Sequence, residues 1–498
     1  MELVSKYNQG RVTYRHSVGP PIGGWNTRDD VTEMPRQDAE TLDNWLPDTN
    51  KVVARKGFEV FATGVGSGRV DMLSPMSDAA NNIHLLAAGG GTIYDITGGT
   101  ASSIRAGTTP VAWDTVSFNN KLTMVNGSDH PLEYDGTSIA PANFSVDGIN
   151  PERFSIVHLF KNRTYYGAVG ELAFWYTELL ANDGILTKFP LHGIANRGGW
   201  VVAINSWSVD GGAGPDDYFC AFTSEGEVIV YAGSDPGSDF ALVGVFYIGR
   251  ILGNAVVAAV NGKLLTATER DYVFLPDQLQ EEGGGFDSKL SGAAKEAISK
   301  YKNFRGWQAH YSPSEGLLIV NAPTGNATSI QHVLNVKTRA GTRYTGINAA
   351  VWADFNGELY FGGYDGSVNR YTGSRDGGSA ITCIARTAPA LLRSPSEKQV
   401  PSYRFKFLSD GTVAPTTGLA WDFDKVAFTQ SISISADYGS VLPADWPFDW
   451  SSENERRQEW QRGAGMGTYV QGFVSLPVSV PVSWQGVDYI VEPGGDQR

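Results

Sequence analysis

"AAVWADFNGELYFGGYDGSVNRYTG", residues 349–373, alternates apolar and polar side chains on either side of Asn356-Gly357 and again after Gly366. A period of two marks a half-buried strand, and Asn-Gly favours the tight hairpin turn whose two central residues both take positive φ. The stretch therefore reads as strand, turn, strand, Gly-rich turn, strand. Weaker copies lie elsewhere: "VSFNNKLTMVN" from Val116, "VHLFKNRTYYGA" from Val157 and "AAVNGKLLTAT" from Ala258. Looser ones are "LAAGGGTIYDI", "AFTSEGEVIVYAG" and "HYSPSEGLLIVNA". Their turns fall near Gly91, Asn120, Asn162, Gly226, Gly262, Gly316 and Gly357. The mean spacing is about 44 residues, inside the roughly 40–50 of a propeller blade.

This spacing predicts a mainly β fold: an irregular β-propeller of about seven blades. A lone blade cannot cover its own faces, whereas radial stacking buries both and ring closure protects the edges. Unrelated hairpins in sandwiches are the competing reading; regular spacing and the scarcity of long helical patterns favour the ring. "HPLEYDG" (130–136) and "GSVNRYTG" (366–373) would add a further strand to their blades.

Composition agrees with many strands and tight turns: 498 residues, 59 of them Gly, with only 18% charged. The formal charge is −14, and most of the excess lies between residues 61 and 380. An acidic body argues against a groove that grips phosphates, because that affinity comes from Lys and Arg. Cys220 and Cys383 stand far apart in apolar surroundings; a disulfide is open to them, and buried free thiols fit the context better. The first residues lack the apolar core of a signal peptide, and no run has the ~20 apolar residues that span a bilayer. The expectation is a soluble chain with no stable membrane insertion.

Three regions follow. Residues 1–64 form an extended, Pro- and Gly-containing arm with one short strand pair around Val53–Phe61; residues 65–375 form the propeller; residues 376–498 form a smaller β domain. A helical insertion is expected near 281–304, where Leu290, Ala293, Ala297, Ile298 and Tyr301 recur at helical spacing. "SSENERRQEWQRG" (451–463) is a second helix or turn candidate.

A search for chemistry turns up near misses. "SVDGGAGPDDY" (208–218) resembles a sialidase Asp-box turn but lacks its Trp and occurs once. Asp216–Asp217 and Glu281–Glu282 are adjacent in sequence and do not face each other across a sugar. "GVGSGRV" (64–70) and "GAGMGTY" (463–469) have the glycines of phosphate loops without the Lys-Ser/Thr ending or a βαβ setting. "DFNGELY" (354–360) places oxygens at alternate positions like a calcium loop but lacks the distant Glu. His84 and His158 sit within strands and read as structural histidines. No catalytic residue, cofactor or metal is assigned, and the chain is not expected to be an enzyme.

Three stretches resemble the tail nozzle proteins of short-tailed bacteriophages (podoviruses), also called tail hub or tail tubular proteins. They are "GGWNTRDDVTEMPRQDAETLDNWLPDTNKVVARKGFEVFATG" (23–64), "QHVLNVKTRAGTRYTGINAAVWADFNGELYFGGYDGSVNRYTG" (331–373) and "VSWQGVDYIVEPGG" (482–495). They cover both ends and the last blade, in matching order; residues from about 150 to 300 match only as a succession of strands. The resemblance implies a propeller on a platform built from the N-terminal arm and the C-terminal β domain. It also implies a virion structural protein, made in the host cytoplasm and assembled as a homohexamer. That ring would sit below the portal and head–tail adaptor, near the tail fibre or spike, with phage DNA held and then ejected through its channel. Arg28, Asp29, Trp45 and Arg55 of the arm are the expected contacts with neighbouring subunits. The alternatives are a glycan-binding or glycan-degrading propeller adhesin, and a head-completion plug that holds packaged DNA.

Overall fold

The structure is a computed structural model that describes residues 13–146, 148–210, 215–275, 289–393, 395–424, 428–431, 455–457 and 459–494. The chain divides into two compact units: Phe58–Val336 with Thr345–Thr372, and Met1–Gly57 with Lys337–Tyr344 and Gly373–Arg498.

The first unit is a seven-bladed β-propeller. Blades one to four are four-stranded antiparallel sheets whose first strands are Val70–Ser77, Asp114–Phe118, Phe154–Phe160 and Val201–Asp210. Blade five begins at Val257–Val260 and blade six at Gln308–Ser312, each with three strands inside this unit. Blade seven is the opening stretch of sequence: Val351–Phe355, Glu358–Gly362 and Val368–Tyr371. Its fourth strand, Phe58–Ala62, comes from the other end of the chain and pairs antiparallel with Val368–Tyr371. The first strand of each blade neighbours the first strand of the next around the whole circle, and blade seven returns to blade one.

The turns have the chemistry expected of them. Asn119-Asn120, Lys161-Asn162, Asn261-Gly262 and Asn356-Gly357 all hold both central residues at positive φ. The phase of the repeat is less regular than the sequence suggested. Five of the seven turns join the first and second strands of a blade, whereas those at Gly91 and Gly226 join the second and third. In blade one the first hairpin turns through Asp78–Asn82, where Asp78 Oδ1 accepts the N–H groups of Ala80 and Asn82.

Cohesion comes from apolar layers shared by consecutive blades. Met72, Leu86 and Ile93 of blade one pack with Leu122, Met124 and Tyr134 of blade two. Phe160, Tyr165 and Phe174 of blade three meet Phe219, Ile229 and Tyr231 of blade four. Val70, Leu73 and Leu85 of blade one close on Phe355, Tyr360 and Val368 of blade seven, with Ala62 of the clasping strand. Each fully buried side chain of this size contributes roughly 1.5–3 kcal/mol. The helix Ser291–Tyr301 buries Ala294, Ala297 and Ile298 in the layer between blades five and six. Residues 281–288 of the expected insertion lie outside the described residues.

The second unit is built on two sheets. In one, Val482–Pro493 lies between Lys398–Ser409 on one side and Tyr14–Val18 and Val52–Ala54 on the other. In the other, Ser379–Thr387 pairs with Asp38–Asp43 and with Val470–Val478, which continues to Thr416–Trp421. Tyr403 and Thr417 hydroxyls meet at 3.3 Å between them.

Three expectations change. The boundaries drawn at 64/65 and 375/376 fall at 57/58 and 372/373, because Phe58–Ala62 serves the propeller, and Lys337–Tyr344 leaves the propeller for the second unit, where Gly341–Tyr344 pairs with Asp38–Asp43. The strands near Val53–Phe61 do not pair with each other: Val52–Ala54 joins Trp45–Pro47 and Val482–Pro493. Within 451–463, Glu455–Arg457 and Gln461–Arg462 are strands beside Lys398–Ser409, so cross-strand pairing overrides the helical pattern there.

Candidate functional site

The four arm residues singled out from the sequence lie in the second unit, and it places them in two different settings. Asn26 Oδ1 accepts the N–H groups of both Arg28 and Asp29, forming a side-chain-closed turn. Asn26 Nδ2 bridges Asp29 and the buried Asp38, at 2.9 and 2.7 Å. Arg28 donates through Nε and Nη2 to Asp29, and the pair stays partly exposed at the surface.

Trp45 and Arg55 are interior. Trp45 stacks on Phe407 (6.4 Å between ring centres) and tilts against Trp484 (6.0 Å). Arg55 donates to Asn44 Oδ1 and, through both terminal nitrogens, to Asp376 at 2.8 and 2.6 Å. Its guanidinium lies over the Tyr344 ring. Asn44 takes φ 61°, so its backbone carbonyl can accept the Arg55 N–H while its Nδ2 donates to Thr382. Trp45 and Arg55 therefore bind the unit to itself, and Arg28 and Asp29 are the arm residues of the four left at its surface.

Sequence reasoning missed the partners. Asp376 stands 321 positions from Arg55. Asp43 holds Arg343 by two bonds of 2.7 and 2.6 Å, and Arg343 lies over Trp25. The only signal was that Arg343 and Trp25 both fall inside the stretches carrying the family resemblance.

The motifs that suggested chemistry have structural employment. Asp354 accepts from His310 Nε2 at 2.8 Å and from Ser312 and Ser314 hydroxyls at 2.6 and 2.9 Å. In 64–70, a Cβ on Gly66 would stand 2.7 Å from the backbone of Gly89; in 463–469, one on Gly463 would stand 1.7 Å from the Val400 carbonyl. Both are close backbone approaches. Of the Asp-box-like stretch, residues 211–214 lie outside the described residues, between two strands of blade four. No group of three metal-ligating side chains occurs among the described residues.

Polar links join the first strands of the ring. Ser74 meets Thr115 at 2.9 Å, Asp114 accepts the Val157 N–H at 3.0 Å, and His158 Nε2 meets Ser206 Oγ at 3.0 Å. Burial pushes His158 down to about 4. It pushes Asp114 up to about 6, outweighing the N–H donors of Val157 and Thr115. Burial also raises the Cys220 and Cys383 thiols well above their ordinary value, and both are free.

Fold and site together define a seven-bladed β-propeller protein with a second β unit made from both ends of the chain. No family model matches it, and no curated protein matches it. Among solved structures it is similar to YCF48 bound to D1 peptide, at 11% identity and TM-score 0.41, over 68% of this chain and 99% of that one. YCF48 from Cyanidioschyzon merolae matches at 13% identity and TM-score 0.40, over 61% and 95%. The computationally designed Ika8 protein matches at 10% identity and TM-score 0.39, over 63% and 99%.

Proposed function

We infer that the chain is a structural subunit of a short-tailed bacteriophage tail, forming the nozzle ring below the portal and adaptor through which DNA is retained and then ejected. One observation carries this reading: the two terminal stretches that resemble nozzle proteins meet in a single sheet. Val52 and Val53 pair with Trp484 and Ser483, and Trp45 packs between Phe407 and Trp484. A sheet shared by both ends of the chain supports the terminal unit that the resemblance implies. The acidic balance of the chain (−14) also suits a conduit, because like charge keeps a passing phosphate backbone from sticking.

The partners in this reading are other copies of the chain in a ring, the head–tail adaptor, a tail fibre or spike, and the DNA in transit. Electron microscopy of the purified protein, alone and mixed with portal–adaptor complexes, tests it. Rings docked beneath the adaptor are expected. Scattered monomers at micromolar concentration, with adaptors bare, would overturn it. A glycan array with a reducing-sugar assay checks the adhesin alternative, and robust turnover there would replace the structural reading.

A further inference from the structure

On the outer face of Tyr14–Val18, Val482–Pro493 and Lys398–Ser409, cationic side chains outnumber carboxylates among the described residues. Asp488 lies at its centre with no exposed side-chain surface. It accepts from Arg15 Nη2 and Ser17 Oγ at 2.6 Å each, Arg404 Nε at 2.9 Å and Lys406 Nζ at 3.2 Å. Strand register places Ser17 on one side of Asp488 and Arg404 on the other, so the convergence follows from backbone pairing. Arg15, Arg404 and Lys406 thus outnumber the carboxylates described on this face, Asp488 and, by strand alternation, Glu492. Each arginine engages Asp488 through a single nitrogen, and a guanidinium has five N–H donors to satisfy.

A second observation concerns Trp460. It is 43% exposed, and Arg404 lies over its ring at 4.6 Å. An exposed tryptophan stacked on arginine combines the two residue types that most often anchor interfaces.

We propose that this face binds an acidic segment of a partner protein, with Arg15, Arg404 and Lys406 taking clustered carboxylates and Trp460 taking an adjoining apolar side chain. Charge complementarity selects the occupant. The patch spans three neighbouring strands, roughly 10 Å across. A short acidic segment keeps its charge within that width, whereas a duplex would carry phosphates over the rest of a chain whose formal charge is −14. The proposal does not depend on the tail reading.

Fluorescence anisotropy with a labelled Glu-rich dodecapeptide, a Lys-rich counterpart and a short DNA duplex tests it, at low and at physiological salt. The Glu-rich peptide should bind saturably and weaken about tenfold as salt rises, since exposed charges are screened. The Lys-rich peptide should not bind. The triple variant R15Q/K406Q/W460A should lose about tenfold in affinity with its melting temperature little changed. If that variant does not fold, Arg15→Gln alone, at a side chain 53% exposed, should lose several-fold. Absence of saturable peptide binding at low salt would overturn the proposal, as would equal affinity in variant and parent. Duplex binding tighter than the peptide's, and lost in the same variant, would overturn it too by assigning the face to nucleic acid.

Discussion

Asp376 keeps one-seventh of its side chain in solvent while Arg55 keeps none, so the pair is asymmetric: removing the acid strands a buried cation. Asp376→Ala should cost about 3–5 kcal/mol in urea unfolding, and Arg55→Met somewhat less, because the carboxylate it strands keeps some contact with water. Buried groups in the ring set a pH response. His158 binds its proton less readily folded than unfolded, so its share of stability is complete above about pH 6.5 and is lost as pH falls towards 4. Asp114 acts oppositely: its raised pKa makes its share complete below about pH 4 and lost as pH rises through about 6. The two offset each other between pH 4 and 6. His158→Asn should gain on the parent by up to about 3 kcal/mol as pH falls from 7 to 4, read from urea midpoints at each pH. At this scale the Asn-Gly turns were legible, because positive φ is a property of those residues themselves. Trp45 and Arg55 were legible as important but not as interior. An aromatic and an arginine on an arm look like an interface until a partner hundreds of positions away is seen.

Among the elements, the clasping strand Phe58–Ala62 matters most to the ring. A chain beginning at residue 64 would leave the Val368–Tyr371 edge of blade seven unpaired, and unpaired edges recruit foreign strands. Size-exclusion chromatography should show aggregation and limited proteolysis should cut blade seven early; a monomeric, protease-resistant product would contradict that role. Replacing Asn356-Gly357 by Ala-Ala places Cβ-bearing residues at φ 51° and 76°, and should cost about 1–2 kcal/mol in thermal unfolding without changing the strand order. Blade number and hairpin turns could be read because each blade repeats a local pattern. The phase slip at Gly91 and Gly226 could not, since a tight turn between second and third strands has the same chemistry as one between first and second. The clasp was missed for a related reason: "FEVFA" announces a strand, and nothing near it names the partner.

For the whole molecule, net charge gives a check independent of assembly. A chain of formal charge −14 should hold duplex DNA only weakly, with a dissociation constant above about 0.1 mM at physiological salt in filter binding. Retention at micromolar concentration would remove the electrostatic support for a conduit. The closing of the circle has a further consequence, in time. Ala62 and its partner Val368 are separated by about 300 residues of chain, and ribosomes add roughly 5–20 residues per second. The clasping strand therefore waits on the order of 15–60 s after its own synthesis for the edge it will join. Val52–Ala54 waits longer still for Val482–Pro493. Both units finish folding only when late segments arrive, so a nascent chain stalled before blade seven would hold six blades and a loose N-terminal strand. Such a chain is a natural substrate for a holding chaperone.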